Sequence, residues 1–213
     1  MARTTFLGFL LLRQVLIIIL YKNLLTFAQP PERFSVAQGL NTSWDGVRNV
    51  TELPVHCYGY GSDQDGYKQS EDCLYLNVIR PANLKITTNI PVAVWIHGGG
   101  LFQGGASDLR YNLSFIVEQS VALGTPIIGV SFNYRLSAFG FIVGKEALKE
   151  GATNIGFRDQ RLALHWVQEN IKAFGGDPDK VTIFAESSGA ESVAAQVLAY
   201  NGTLTAMFFL SVY

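Results

Sequence analysis

The chain has 213 residues, enough to bury one sizeable core or two small ones. Hydrophobic residues make up 48% and charged residues 15%, a globular rather than a disordered balance. Sixteen basic against seventeen acidic residues give a formal net charge of -1 with no basic stripe, which argues against a nucleic-acid partner.

The N-terminus carries two apolar runs, at 6–12 and 15–21, separated by Arg13. A signal peptide wants one apolar core of about 7–15 residues and a small-residue cleavage site, which Thr26-Phe27-Ala28 could supply. A comfortable membrane span would need about 20 uninterrupted apolar residues. Segment 1–26 is therefore read as a signal peptide, a membrane anchor or a head foreign to the body. In each case residues 1–25 are expected to pack poorly against the rest, and any membrane contact is expected to run through this segment.

The body alternates strand and helix signals. Residues 73–80 (CLYLNVIR) have period-2 character. Residues 90–96 (IPVAVWI) form the nearly continuous apolar run of a strand buried on both faces. HGGG at 97–100 must then be a loop. Ser107-Asp108 can cap a helix reaching about Leu123, with Leu109, Leu113, Ile116 and Val117 on one face. A strand is predicted over 126–135 and a helix over 157–174, the latter closed by Gly175-Gly176 and Pro178. A short buried strand over 180–184 runs into AESSG at 185–189, and a helix follows over 190–198. The pattern predicts an α/β fold with a mostly parallel, doubly wound sheet.

Two segments carry chemistry. AESSG places Ser187 at a strand-to-helix turn between small residues, which tolerate the strained backbone that lifts a hydroxyl clear of a sheet. The helix that follows aims its free N–H groups at a developing oxyanion. An ordinary helix N-cap is the competing reading of this serine, and the first position of the G-x-S-x-G template is here Ala185. In HGGG, three glycines after a buried strand let backbone N–H groups approach a ligand closely. A flexible turn and a phosphate loop are the alternatives, but no Gly-Lys-Ser/Thr follows. His97 is read as packing within its loop, and His56 and His165 as structural or exposed rather than as a catalytic base.

Cys57 and Cys73 have fifteen residues between them, which excludes a zinc ribbon and a CxxC pair. They are two buried thiols or one disulfide. Four N-x-S/T sequons, at Asn41, Asn49, Asn112 and Asn201, favour a secretory route and so the disulfide. A bridge over this loop is worth about 3 kcal/mol in the chain-entropy model. A secreted protein is expected, or alternatively one anchored by its first segment.

Several motifs, in this order, resemble the type-B carboxylesterases, a family of cholinesterases, secreted fungal esterases and lipases, and inactive neuroligins. FAQPP at 27–31 with Arg33-Phe34 is similar to the family's N-terminal signature, and SEDCLYLN at 70–77 to its cysteine motif. VWIHGGG at 94–100, FNYRL at 132–136, DQRL at 159–162 with Trp166, FGGDP at 174–178 and AESSGA at 185–190 follow. The resemblance covers about residues 27–200 and implies an α/β-hydrolase fold and hydrolysis of a small-molecule or lipid ester without a cofactor or metal. It makes Ser187 the nucleophile, and Gly99, Gly100 and the Ser188 N–H the oxyanion hole, with Glu186 a supporting carboxylate. It also has Cys57 and Cys73 close a loop near the site, and pairs Arg33 with Glu71 and Arg135 with Asp159. Relatives supply an acidic residue and a histidine downstream of the nucleophile. This chain is thus expected to be the N-terminal portion of the fold, truncated after the nucleophile elbow, and inactive as it stands. A non-catalytic binding module of the same fold, or a non-functional gene fragment, is the alternative.

Overall fold

A computed structural model of the chain describes residues 11–12, 15–19, 33–39, 53–85, 87–202 and 207–209; for 11–12, 15–19 and 207–209 it describes the backbone alone. The strands are β1 (Leu11–Leu12), β2 (Val15–Ile19), β3 (His56–Cys57), β4 (Gln69–Ser70), β5 (Leu76–Pro81), β6 (Ile90–Ile96), β7 (Ile128–Phe132), β8 (Gly176–Ala185) and β9 (Met207–Phe209). The helices are α1 (Ser114–Ala122), α2 (Ser137–Phe141), α3 (Lys145–Lys149), α4 (Ile155–Asn170) and α5 (Ser188–Leu198).

Seven strands form one sheet in the order β1-β2-β5-β7-β6-β8-β9, while β3 and β4 pair separately. Pairing is parallel from β7 through β6 and β8 to β9. It is antiparallel from β1 through β2 and β5 to β7, so the sheet is mixed rather than mostly parallel. Connection length decides which. α1 lies between β6 and β7, and α2, α3 and α4 lie between β7 and β8, long enough for the crossovers that parallel neighbours need. Only residues 82–89 join β5 to β6, too few for a helical crossover, so the chain reverses there.

Alternation along the strands puts apolar side chains on both faces. Val92, Val94 and Ile96 of β6 join the larger core with Ala163, Leu164 and Val167 of α4 and Ala190 and Val193 of α5. Trp95 of β6 and Ile79 of β5 join a smaller core with Leu113 and Val117. Helices therefore cover the sheet on two sides, which is the doubly wound arrangement expected.

Two further expectations need correction. The head does not stay apart from the body: β2 pairs with β5 over five residues, from Val15↔Pro81 to Ile19↔Asn77. All six residues of β5 are buried, and an unpaired edge there would leave ladder groups unsatisfied; the run VLIII, β-branched at all but Leu16, is a good strand to cover it. The single helix expected from Ser107-Asp108 onward is split. Asp108 caps a short 3-10 turn, Leu109–Tyr111, and α1 starts only at Ser114. Leu113 and Val117 are buried as expected, whereas Leu109 is 70% and Ile116 39% exposed.

Candidate active site

β6 and β8 are neighbours in parallel register, and Ile96 of one pairs with Ala185 of the other. The glycine loop and the serine turn therefore leave the same sheet end side by side, the carboxyl end where open α/β sheets bind ligands. Ser187 sits between β8 and α5 with φ 51° and ψ −127°, a positive-φ conformation unusual for a residue with a side chain, and it is exposed. Ser188 opens α5, so its N–H has no intrahelical acceptor. Glycine is required at 189, because a Cβ there would lie 2.3 Å from the Ile96 carbonyl oxygen.

The glycine loop turns directly against this elbow. A Cβ on Gly98 would lie 2.5 Å from Glu186 Oε2 and 3.1 Å from Ser187 Cβ. Gly99, Gly100 and Leu101 then take three successive positive φ values, 99°, 62° and 64°. The Gly99 carbonyl accepts the N–H groups of Phe102 and Gln103, at 3.1 and 3.0 Å. Among the described residues the Gly99 and Gly100 N–H groups have no acceptor. A nest of this kind, beside a helix N-terminus, can accommodate a developing negative oxygen.

Glu186 is half-buried beside Ser187, and the Tyr111 hydroxyl lies 3.5 Å from its Oε2. Burial, and then the Glu186 charge, push the Tyr111 phenol above its ordinary pKa. His97 is 1% exposed, stacked on Tyr134 at 4.4 Å, with Nδ1 2.9 Å from the Gly98 carbonyl. Its burial lowers its pKa to about 4. His56 is fully buried, with Nδ1 3.0 Å from Gln64 Oε1 and its ring stacked on Tyr67. His165 is exposed on α4. Tyr134, in the FNYRL run, donates its hydroxyl to the His97 carbonyl at 2.8 Å, a role that no local pattern in that run signals.

Cys57 and Cys73 are bridged, with Cα atoms 5.0 Å apart, and no free cysteine remains. The loop they close is fastened to the segment after the glycines. The Tyr60 N–H donates to the Phe102 carbonyl at 2.8 Å, Arg110 spans Asp63 and Asp108 at 2.6 Å each, and the Leu109 N–H donates to the Tyr67 hydroxyl at 3.1 Å. Both ion pairs named in the sequence form. Arg33–Glu71 lies on the surface, whereas Arg135–Asp159 is buried and two-pronged, at 2.7 and 2.6 Å. Of the sequons, Asn201 is exposed and Asn112 half-buried; Asn41 and Asn49 lie outside the described residues. Among the described residues no cluster of His, Cys, Asp and Glu could hold a metal, and no helix is long and apolar enough to cross a membrane.

Comparison with known proteins gives one family. The family described as "Carboxylesterase family" matches residues 25–206. The chain is 49% identical over 146 residues to "Lipase 1" of Geotrichum candidum, covering 68% of this chain and 26% of that protein. It is 46% identical over 129 residues to the "Inactive carboxylesterase-like protein VdtD" of Byssochlamys spectabilis, covering 61% of this chain and 22% of that protein. Among solved structures it is similar to Aspergillus niger EstA, with a TM-score of 0.76 and 33% identity over 89% of this chain and 35% of that one. The matches thus span about a quarter of the length of the curated relatives.

Proposed function

The chain belongs to the carboxylesterase family and carries part of its α/β-hydrolase fold, and on that premise we propose that residues 97–100 and 185–189 are the nucleophile and oxyanion portion of a serine carboxylic-ester hydrolase. The observation that carries the reading is the approach of Gly98 to Ser187 at one sheet end, with unengaged N–H groups on both sides of the gap. In this reading the Ser187 Oγ attacks the ester carbonyl carbon and loses its proton to a base. The resulting oxyanion is held by the N–H groups of Gly99, Gly100 and Ser188. The alcohol leaves with a proton, and water then releases the acid from the acyl-enzyme. Glu186 lies beside the serine as a supporting carboxylate.

The three histidines of the chain do not serve as that base. His97 is enclosed against Tyr134, His56 is engaged by Gln64, and His165 faces solvent on α4. The 213-residue polypeptide alone is therefore proposed to turn esters over poorly. In another serine hydrolase the loss of the base costs about 10⁶ in kcat, leaving about 10³–10⁴ over water from the hole and binding. The disulfide and the exposed Asn201 sequon support a secreted protein.

The test is release of p-nitrophenol from p-nitrophenyl butyrate by the 213-residue protein, with free imidazole added as a surrogate base and Ser187→Ala as control. Release that requires Ser187 and rises with imidazole is expected. Equal rates in the two proteins would overturn the reading in favour of a non-catalytic module, the reading that the similarity to a protein named inactive supports.

A further inference from the structure

Leu101 is a strained residue in the glycine loop. Positive φ is tolerated by Gly99 and Gly100, but at Leu101 a φ of 64° sets a branched side chain against its own backbone. Such a conformation persists only where the surroundings fix it. Here both polar groups of the residue are held. Its N–H donates to the Ser188 Oγ at 3.1 Å, across 87 positions of sequence, and its carbonyl accepts the Ser137 N–H at 2.8 Å.

Ser188 is 4% exposed, and its hydroxyl is not spent on capping its own helix. Burial drives the pKa of the Tyr134 phenol upward. Tyr134 holds the His97 carbonyl at 2.8 Å, at the start of the glycine loop. The loop is thus gripped at both ends, at His97 through Tyr134 and at Leu101 through Ser188, with Gly99 and Gly100 between the grips.

We propose that the Ser188 side chain is a positioning residue that fastens the strained glycine loop to the serine elbow, so that one residue couples both sides of the oxyanion hole. Its N–H is a donor of the hole, and its Oγ fixes where the other donors stand. This goes beyond the role expected of Ser188, which used the backbone alone, and its functional half rests on the esterase reading above. The bond is short-range and directional, so its loss should let the Leu101 peptide relax and displace Gly100 while leaving substrate contacts elsewhere intact. The signature is a loss in kcat rather than a rise in KM.

The experiment compares the 213-residue protein with Ser188→Ala, and with Ser188→Cys as a near-isosteric control whose sulfur is a poor acceptor. Amide hydrogen exchange is read by NMR at Leu101, with Val92 and Val94 of β6 as internal references for the fold. Imidazole-supported, Ser187-dependent ester hydrolysis is read in parallel. Expected in both variants are Leu101 exchange about fivefold to tenfold faster, the range that loss of one hydrogen bond gives, unchanged exchange at Val92 and Val94, a similar fall in kcat, and KM within about twofold. Unchanged Leu101 exchange overturns the proposal, and so does faster exchange with unaltered kcat. Should the unsubstituted protein show no Ser187-dependent hydrolysis, the esterase reading fails by itself. The exchange measurement needs no ester, and it still decides whether Ser188 holds the loop.

Discussion

Ile96 and Ala185 are partners in parallel register at the last residues of β6 and β8, so the loops that follow them start side by side. Everything at the candidate site depends on this pairing, because it brings residues about ninety positions apart within contact distance. Gly98 and Gly189 allow the approach. Each would place a Cβ within 2.5 Å of an oxygen from the opposite loop or strand end.

The first prediction concerns Gly98→Ala. The new methyl would meet Glu186 Oε2 and the Glu186 carbonyl at 2.5 and 2.7 Å, so the two loops must move apart. Backbone on one side cannot yield as a flexible side chain would. A stability loss of about 1–3 kcal/mol is expected from overpacking, measured by urea denaturation. Any Ser187-dependent hydrolysis should disappear with it.

A second prediction follows from the disulfide. Removing it as the double variant Cys57→Ser, Cys73→Ser should lower stability by about 3 kcal/mol, as loop-closure entropy suggests. The loop's ties to Phe102, Leu109 and Arg110 mean that the effect should spread. Hydrogen exchange over residues 102–110 is expected to quicken, while β6 stays protected. Protection unchanged at 102–110 would show that those ties hold without the bridge.

Much of this was legible in the sequence, for identifiable reasons. β6 falls on the expected residues 90–96, because a run of apolar residues ending in glycines fixes both its ends. β8 begins at Gly176 rather than 180, because Gly-Asp-Pro-Asp reads as a turn and only pairing with β6, through an irregular register near Ile90, draws it into the sheet. The serine turn and glycine loop are local signals and were readable as such. The Ser188–Leu101 bond was not. It joins residues 87 apart through a hydroxyl whose neighbours only the fold supplies. The head's place beside β5 was hidden for the same reason, since an apolar run does not announce its pairing partner.

The third prediction is for the buried ion pair. Arg135 and Asp159 are 7% and 0% exposed at their side chains, and the Arg135 N–H also donates to Asp159 Oδ2 at 3.1 Å. Burial raises the Asp159 pKa despite the opposing pull of Arg135. Asp159→Asn keeps the shape but leaves the guanidinium without its counter-charge. A loss of about 3–5 kcal/mol is expected for breaking such a pair. Replacing both residues with apolar ones should cost less than the single change, and a double-mutant cycle in urea measures the difference.

The last prediction is a pH dependence set by His97. Its burial holds the folded-state pKa at about 4, against 6.5 for the free side chain. A histidine whose pKa is lowered on folding is neutral in the native state and becomes protonated first in the unfolded one. Its contribution is therefore fully present above about pH 6.5. It declines as pH falls toward 4, where the unfolded chain binds the extra proton. The displacement corresponds to about 3 kcal/mol lost across that window. His56, whose pKa burial also lowers, adds in the same direction. Urea unfolding at pH 7 and pH 4.5, with the disulfide intact, should show the fall. His97→Gln removes the titrating ring, so its stability should change less over the same interval, although it starts lower for the lost stack on Tyr134. An equal pH slope in the two proteins would show that His97 is not the group responsible.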